Sequence, residues 1–300
     1  MNILITGASG FLGRHLSVFL EKKGHNVTKI TSKEIDLTNQ NSCENIPKLN
    51  YHQIYHLAAW TQAGDFCQYH QGEQWIINQQ INTNVLNWWK MYCPTAKMIA
   101  FGTSASYAPE YELKEVFYMS GSPIEKFYSY AMSKRMLLAG LESLNKQFGL
   151  EYLYFIPSTL YGPDYHTDGR QMHFIYDLIR KIKSSKETGS DAILWGDGFQ
   201  KRELVFINDF INIIFEVNSI LSNEILNIGA GVDYTIRDFA KIISDYFQFD
   251  FNNIKYDSNA YVGVRSKILN NEKLENIIKY DQTRLEQGLI QTINWFNQKF

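Results

Sequence analysis

Apolar positions fall into two rhythms that alternate along the first half of the chain. Ile3-Leu4-Ile5, Asn26 to Ile30, Ile54-Tyr55-His56-Leu57, Met98-Ile99-Ala100-Phe101 and Tyr152-Leu153-Tyr154-Phe155-Ile156 are short apolar or mixed runs of strand length. Uninterrupted apolar runs of this length read as strands buried on both faces, since a half-exposed strand would alternate polar with apolar. Between them, Phe11 to Lys23 and Tyr130 to about Asn145 carry helical spacing. Strand, helix, strand repeated in this way predicts βαβ units and a doubly wound parallel sheet, an α/β fold. Past Pro157 the rhythm is less regular: Met172 to Ile182 and Ile236 to Phe247 have helical spacing, separated by the turn signals Gly196-Asp197-Gly198 and Gly229-Ala230-Gly231.

The first strand runs directly into Thr6-Gly7-Ala8-Ser9-Gly10-Phe11-Leu12-Gly13, which opens the first helix. Glycines at 7, 10 and 13 permit a tight turn and close approach of a pyrophosphate, and the helix aims its N-terminal amides at that anion. A dinucleotide site is expected at Gly7, Ala8, Ser9, Gly10, Phe11, Leu12 and Gly13. The organisation that follows is a Rossmann domain over 1–157, with a return of the chain at about 204–228, and a smaller interleaved α/β substrate-binding lobe making up most of 158–300. The second strand ends in Ile30-Thr31-Ser32-Lys33-Glu34. Ser32 and Lys33 suit the 2′-phosphate of NADP(H), whereas an acid at the strand end would accept the ribose hydroxyl of NAD(H). The balance favours NADPH, and Glu34 keeps NADH open.

Composition narrows the class further. With 300 residues and 45% hydrophobic content the chain can build a full core. A net charge of −2 lacks the broad basic field that phosphate-backbone binding needs, so nucleic acid is not an expected partner. The start MNILITG has no cationic segment ahead of its short apolar run, and no stretch is apolar enough to cross a bilayer; a cytoplasmic location is expected. Cys43, Cys67 and Cys93 lack metal-ligand spacing, so no zinc site or disulfide framework is expected.

Tyr130-Ala131-Met132-Ser133-Lys134 supplies candidate chemistry. Residues four apart share a helix face, where the Lys134 ammonium can favour the Tyr130 phenolate and reach a cofactor ribose. The stretch Gly102-Thr103-Ser104-Ala105-Ser106-Tyr107 follows a strand and can bring a hydroxyl to the same reacting oxygen.

TGASGFLG, the strand-end His56-Leu57-Ala58-Ala59, the hydroxyl-bearing strand end, YxxxK and Pro157-Ser158-Thr159-Leu160-Tyr161-Gly162-Pro163 together resemble the extended short-chain dehydrogenase/reductases, which act mostly on nucleotide sugars. Trp195-Gly196-Asp197-Gly198, Lys201-Arg202-Glu203 and Asn227-Ile228-Gly229-Ala230-Gly231 resemble the GDP-L-fucose synthase subfamily. The resemblance spans nearly the whole chain. It implies Tyr130 as proton donor to the C4 oxygen of a GDP-linked 4-keto sugar, Lys134 as its electrostatic partner and cofactor contact, and Thr103 or Ser104 as hydrogen-bond donor. It places Leu57, Ala58, Ala59, Asp36 and Leu37 along the cofactor, Pro157, Thr159 and Leu160 beside the nicotinamide, and Lys181, Trp195, Arg202 and Lys267 toward the nucleotide or sugar. It also implies a homodimer built through the segments around Trp75 to Met91 and Tyr130 to Asn145; Trp88-Trp89 could pack there or in the monomer core.

Two departures bear on the reaction. The subfamily inverts C3 and C5 with a cysteine and a histidine before reducing C4. The histidine corresponds to His173, but the cysteine position is Ala105, and a methyl group cannot remove a proton. Reduction at C4 without epimerisation is therefore expected, with a 6-deoxyhexose or a heptose as substrate. The bifunctional 3,5-epimerase/4-reductase and a non-catalytic NADPH-binding sensor remain as alternatives. The second departure is Tyr261-Val262-Gly263-Val264-Arg265-Ser266-Lys267, where Val262 and Ser266 replace the acidic and basic members of the usual run.

Overall fold

A computed structural model describes residues 1–260 and 265–300; Val262 and its neighbours 261–264 lie outside the described residues. The first half alternates β1 (Asn2–Thr6), α1 (Phe11–Lys22), β2 (Asn26–Ile30), α2 (Gln40–Cys43), β3 (Gln53–His56), α3 (Phe66–Tyr69), α4 (Gln71–Tyr92), β4 (Lys97–Phe101), α5 (Tyr128–Phe148) and β5 (Tyr152–Pro157). Then follow β6 (Thr159–Tyr161), α6 (Phe174–Thr188), β7 (Ala192–Trp195), β8 (Lys201–Arg202), β9 (Leu204–Phe206), α7 (Ile207–Asn218), β10 (Glu224–Ile228), β11 (Tyr234–Thr235), α8 (Ile236–Phe247), β12 (Ile254–Asp257), α9 (Glu272–Glu275) and α10 (Leu285–Lys299).

Six strands form one sheet in the order β10-β5-β4-β3-β1-β2, every pair parallel. The fold is the expected doubly wound α/β sheet. Ile3, Ile5, Tyr55, Ile99, Leu153 and Phe155 face one side of it, against α1 and α7; Leu4, Ile54, Met98, Ala100 and Tyr154 face the other, against α4 and α5. Burial on both faces is why these strands read as apolar runs rather than alternations. A third cluster joins α6, α8, β7, β12 and α10.

Several elements run differently from the apolar pattern. The helix read over Met172 to Ile182 spans Phe174–Thr188, and the one read to about Asn145 ends at Phe148. Gly189 and Gly149 stop them with φ of 69° and 71°, a left-handed geometry that glycine adopts without strain. The tryptophan pair resolves to the core: Trp88 and Trp89 are 2% and 0% exposed, and Trp89 Nε1 donates to Ala96 O at 2.8 Å. Neither offers surface to a second subunit. Among the described residues, no helix is long and apolar enough to cross a membrane.

Candidate active site

In a parallel sheet all strands end on one edge, so the loops after β1, β3, β4 and β5 share a rim. At that rim Gly7 has φ 69°, and a Cβ on it would lie 2.7 Å from Ala58 N. A Cβ on Gly13 would strike Gly7 O and lie 2.8 Å from Ala8 Cα. Both sites therefore require glycine. Gly10 caps α1 without a side-chain hydrogen bond, leaving the first-turn N–H groups for an external acceptor, the arrangement a pyrophosphate fits. Arg14 holds the loop by donating to Ser9 O and, at 2.5 Å, to Asp164 O.

Leu57, Ala58 and Ala59 follow β3, and Ala58 N donates to Thr6 Oγ1 at 3.3 Å, fastening them beside the glycine loop. Ser32, Lys33 and Asp36 are exposed past the end of β2, and Leu37 is buried. Glu34 is exposed but engaged locally: its Oε2 accepts from Thr31 N at 3.1 Å and Thr31 Oγ1 at 2.8 Å. A cleft of about 1010 Å³ beside Ser9 and Lys33 is also lined by Arg14 and Arg170.

Tyr130 and Lys134 share a face of α5, with Lys134 Nζ 5.9 Å from the Tyr130 ring centroid. Lys134 is 6% exposed, and burial draws its pKa down to about 8, with no acidic partner among the described residues to oppose it. The expectation that Lys134 lowers the Tyr130 phenol is not met. Burial pushes that phenol up, Cys67 and Tyr118 add to the rise, and the Thr103 hydroxyl partly offsets it. Desolvation of the phenolate outweighs an ammonium that lies toward the ring.

Thr103 caps the single turn Ser104–Ser106, its Oγ1 accepting from Ala105 N at 3.2 Å. Ser104 and Ala105 are half-buried in that turn. The turn is clamped to α5: Arg135 donates to Ser106 O at 2.6 Å, Ser120 O at 2.8 Å and Gly121 O at 2.7 Å, while Ser106 Oγ donates to Ala131 O at 3.1 Å. This brings Thr103 and Tyr130 together from segments far apart in the chain. Behind them Asn82 donates from Nδ2 to Ser133 O at 3.3 Å, so its Oδ1, 3.1 Å from His56 Nε2, accepts from that nitrogen. His56 Nδ1 is left to accept from Thr6 Oγ1 at 2.8 Å. Burial and nearby Lys134 draw His56 down to about 4, so the ring is neutral.

The pattern of the NAD dependent epimerase/dehydratase family matches residues 3–229. The chain belongs to that family. It is an extended short-chain dehydrogenase/reductase, an oxidoreductase by class. It is 28% identical to a GDP-L-colitose synthase of Yersinia pseudotuberculosis over 307 aligned positions, covering 100% of this chain and 99% of that one. Its fold superposes on a GDP-L-fucose synthetase of Naegleria fowleri with a TM-score of 0.88, at 22% identity and covering 99% of this chain and 93% of that one. It also superposes on a GDP-6-OMe-4-keto-L-xylo-heptose reductase of C. jejuni with a TM-score of 0.87, at 19% identity and covering 100% and 98%.

In this family member the remaining candidates come from the end of β5 onward. Pro157 is the last residue of β5, and Thr159 and Leu160 open β6; all three are half-buried. Lys181 Nζ sits 4.8 Å from the Trp195 ring centroid, and Trp195 is 54% exposed. Arg202 and Lys267 form a second pair, close enough that Arg202, after burial, draws Lys267 down to about 7. His173 stands at the N-terminus of α6, its ring 6.0 Å from Tyr165. His173 is exposed at its edge, but the protein packed around the imidazole, and His166 beside it, draw its pKa down to about 4. Spacing along the chain gave no sign of Cys67, Asn82 or Arg135 as site residues, and Glu203 stood only within the Lys201-Arg202-Glu203 stretch of the resemblance. Each comes from a different segment and acts through a partner more than 25 residues away.

Proposed function

We propose that this protein reduces the C4 keto group of a GDP-linked 4-keto sugar with NADPH, without first inverting C3 and C5. The observation that carries the reading is Ala105 in the turn that sets Thr103 beside Tyr130: the reducing pair is assembled, and the neighbouring position has no group able to take a proton. Bound at the glycine loop, NADPH would supply the hydride to C4. Tyr130, kept protonated by burial, donates its phenolic proton to the C4 oxygen, and Thr103 donates a hydrogen bond to it. Lys134 is a buried cation on the face of α5 that carries Tyr130 and would hold the cofactor ribose. Ser32, Lys33 and Arg14 would receive the 2′-phosphate, since Glu34 is engaged by Thr31. Gly7 to Gly13 would hold the pyrophosphate, Leu57 to Ala59 and Asp36-Leu37 would line the adenosine half, and Pro157, Thr159 and Leu160 would flank the nicotinamide. Lys181 with Trp195, and Arg202 with Lys267, would take the nucleotide and its diphosphate. His173, neutral at physiological pH, orients the sugar.

One observation favours the bifunctional reading: Cys67, 4% exposed, lies near enough to Tyr130 to act on its phenol. Burial raises the Cys67 thiol, which makes it a poor base at neutral pH. The deciding experiment runs the reaction in D₂O with NADPH and GDP-4-keto sugars of hexose and heptose type. NADPH consumption without deuterium at C3 or C5 is expected. Deuterium at either carbon would reject the reduction-only reading.

A further inference from the structure

The segment after Ala59 joins three parts of the chain beside the reacting centre. Its start is pinned to α4: Asn78 Oδ1 accepts from Trp60 N at 2.8 Å, and Asn78 and Gln74, both buried, donate to Trp60 O at 3.1 and 3.3 Å. Phe66 packs edge-on against Trp60 and stacks on His70, with ring centroids 4.7 and 4.5 Å apart. Asp65, just ahead of Phe66, meets the two other parts. Its N–H donates to Gln171 Oε1 at 3.1 Å, and Lys126 Nζ donates to its Oδ1 at 2.5 Å. The crossing is tight: Gly64 has φ 72°, and a Cβ on it would collide with the Gln171 carboxamide. Each partner stands shortly before a site residue in the chain. Gln171 is two residues before His173, a reach of at most about 7 Å, and Lys126, in the single turn Glu125–Phe127, is four before Tyr130, at most about 14 Å.

We propose that Asp65, Lys126 and Gln171 form the subsite for the exocyclic end of the sugar, and that they select a heptose, whose two-carbon side chain on C5 carries hydroxyl, over a 6-deoxyhexose, whose C5 carries a methyl. The proposal rests on the reading of the substrate as a GDP-linked 4-keto sugar. The direction comes from α6: Lys181, which with Trp195 would take the nucleotide, lies about 12 Å along the helix from His173, while Gln171 precedes the helix at its other end. A sugar with its C4 at Tyr130 and its diphosphate toward Lys181 turns its C5 substituent toward Gln171 and Asp65. The side chains there are polar and open to solvent. The Asp65 carboxylate is half exposed and has a second oxygen to accept with, and the exposed Gln171 carboxamide, its oxygen engaged by Asp65 N, has its N–H groups to donate. A side-chain hydroxyl can donate to the one and accept from the other. A methyl in the same place takes water from the Asp65–Lys126 ion pair and returns no hydrogen bond.

The test compares GDP-4-keto-6-deoxyheptose with GDP-4-keto-6-deoxyhexose, matched in ring stereochemistry, by nicotinamide absorbance with NADPH. Wild type should favour the heptose by roughly tenfold to a hundredfold in kcat/KM, the worth of a hydrogen bond to a charged group. Asp65→Asn keeps the backbone bond to Gln171 and the side-chain shape but removes the charge. It should cut that preference by roughly tenfold, mostly through the KM for the heptose. Gln171→Ala, at an exposed position, should cut the preference in the same direction and covers the case of an Asp65 variant that does not fold. A merely structural role would lower both sugars together and leave their ratio unchanged in both variants, which would overturn the proposal. A wild type that reduces the two sugars equally well, or prefers the hexose, also overturns it while leaving the GDP-sugar reading intact. NADPH that binds but is consumed with neither sugar overturns that reading and the proposal with it.

Discussion

Replacing Lys134 with methionine should stabilise the ligand-free protein while removing its activity. Lys134 is buried on α5, and its pKa falls from the ordinary 10.5 to about 8. At roughly 1.4 kcal/mol for each pH unit, keeping the ammonium charged in that place costs the fold on the order of 3 kcal/mol. Methionine fills nearly the same volume without the charge, so much of that cost should return as stability at about pH 7. The sign of the pH dependence follows. Between about pH 8 and 10.5 the unfolded chain binds more protons at this residue than the folded one, so wild-type stability gains from this group as pH rises through that window. Lys134→Met should lack that gain, and the two proteins should converge near the top of it. Urea unfolding at several pH values measures the difference, repeated with NADPH, which should stabilise the wild type more because the variant has lost a ribose contact. A variant less stable than wild type at about pH 7, or one with the same slope between about pH 8 and 10.5, would refute the reasoning.

Tyr130→Phe should lower kcat by roughly a hundredfold to ten-thousandfold with NADPH binding retained, measured by nicotinamide absorbance and by fluorescence titration; unchanged turnover would remove Tyr130 as the proton donor. Gly13→Ala drives a methyl group against Gly7 O and Ala8, and should abolish NADPH binding and lower the unfolding midpoint. Lys33→Glu should raise the KM for NADPH by roughly tenfold or more and leave NADH little changed, since it sets a carboxylate against the 2′-phosphate; equal effects on both cofactors would place that phosphate elsewhere.

Features that depend on neighbours along the chain were legible in the sequence. The apolar runs announced the doubly buried strands, the glycines at 7, 10 and 13 announced a turn with no room for side chains, and the spacing of Tyr130 and Lys134 put them on one helix face. Each follows from backbone geometry over a handful of residues. What the folded chain alone decided was burial and long-range contact. It turned Glu34 back onto Thr31, buried Trp88 and Trp89, raised rather than lowered the Tyr130 phenol, set Cys67 near that phenol, and threaded the Glu203 carboxylate among Ser158, Gly231 and Leu269. A side chain's charge state is set by the water it loses and the groups it meets. Residues far apart in sequence become those groups only when the sheet and the elements after β5 close around them.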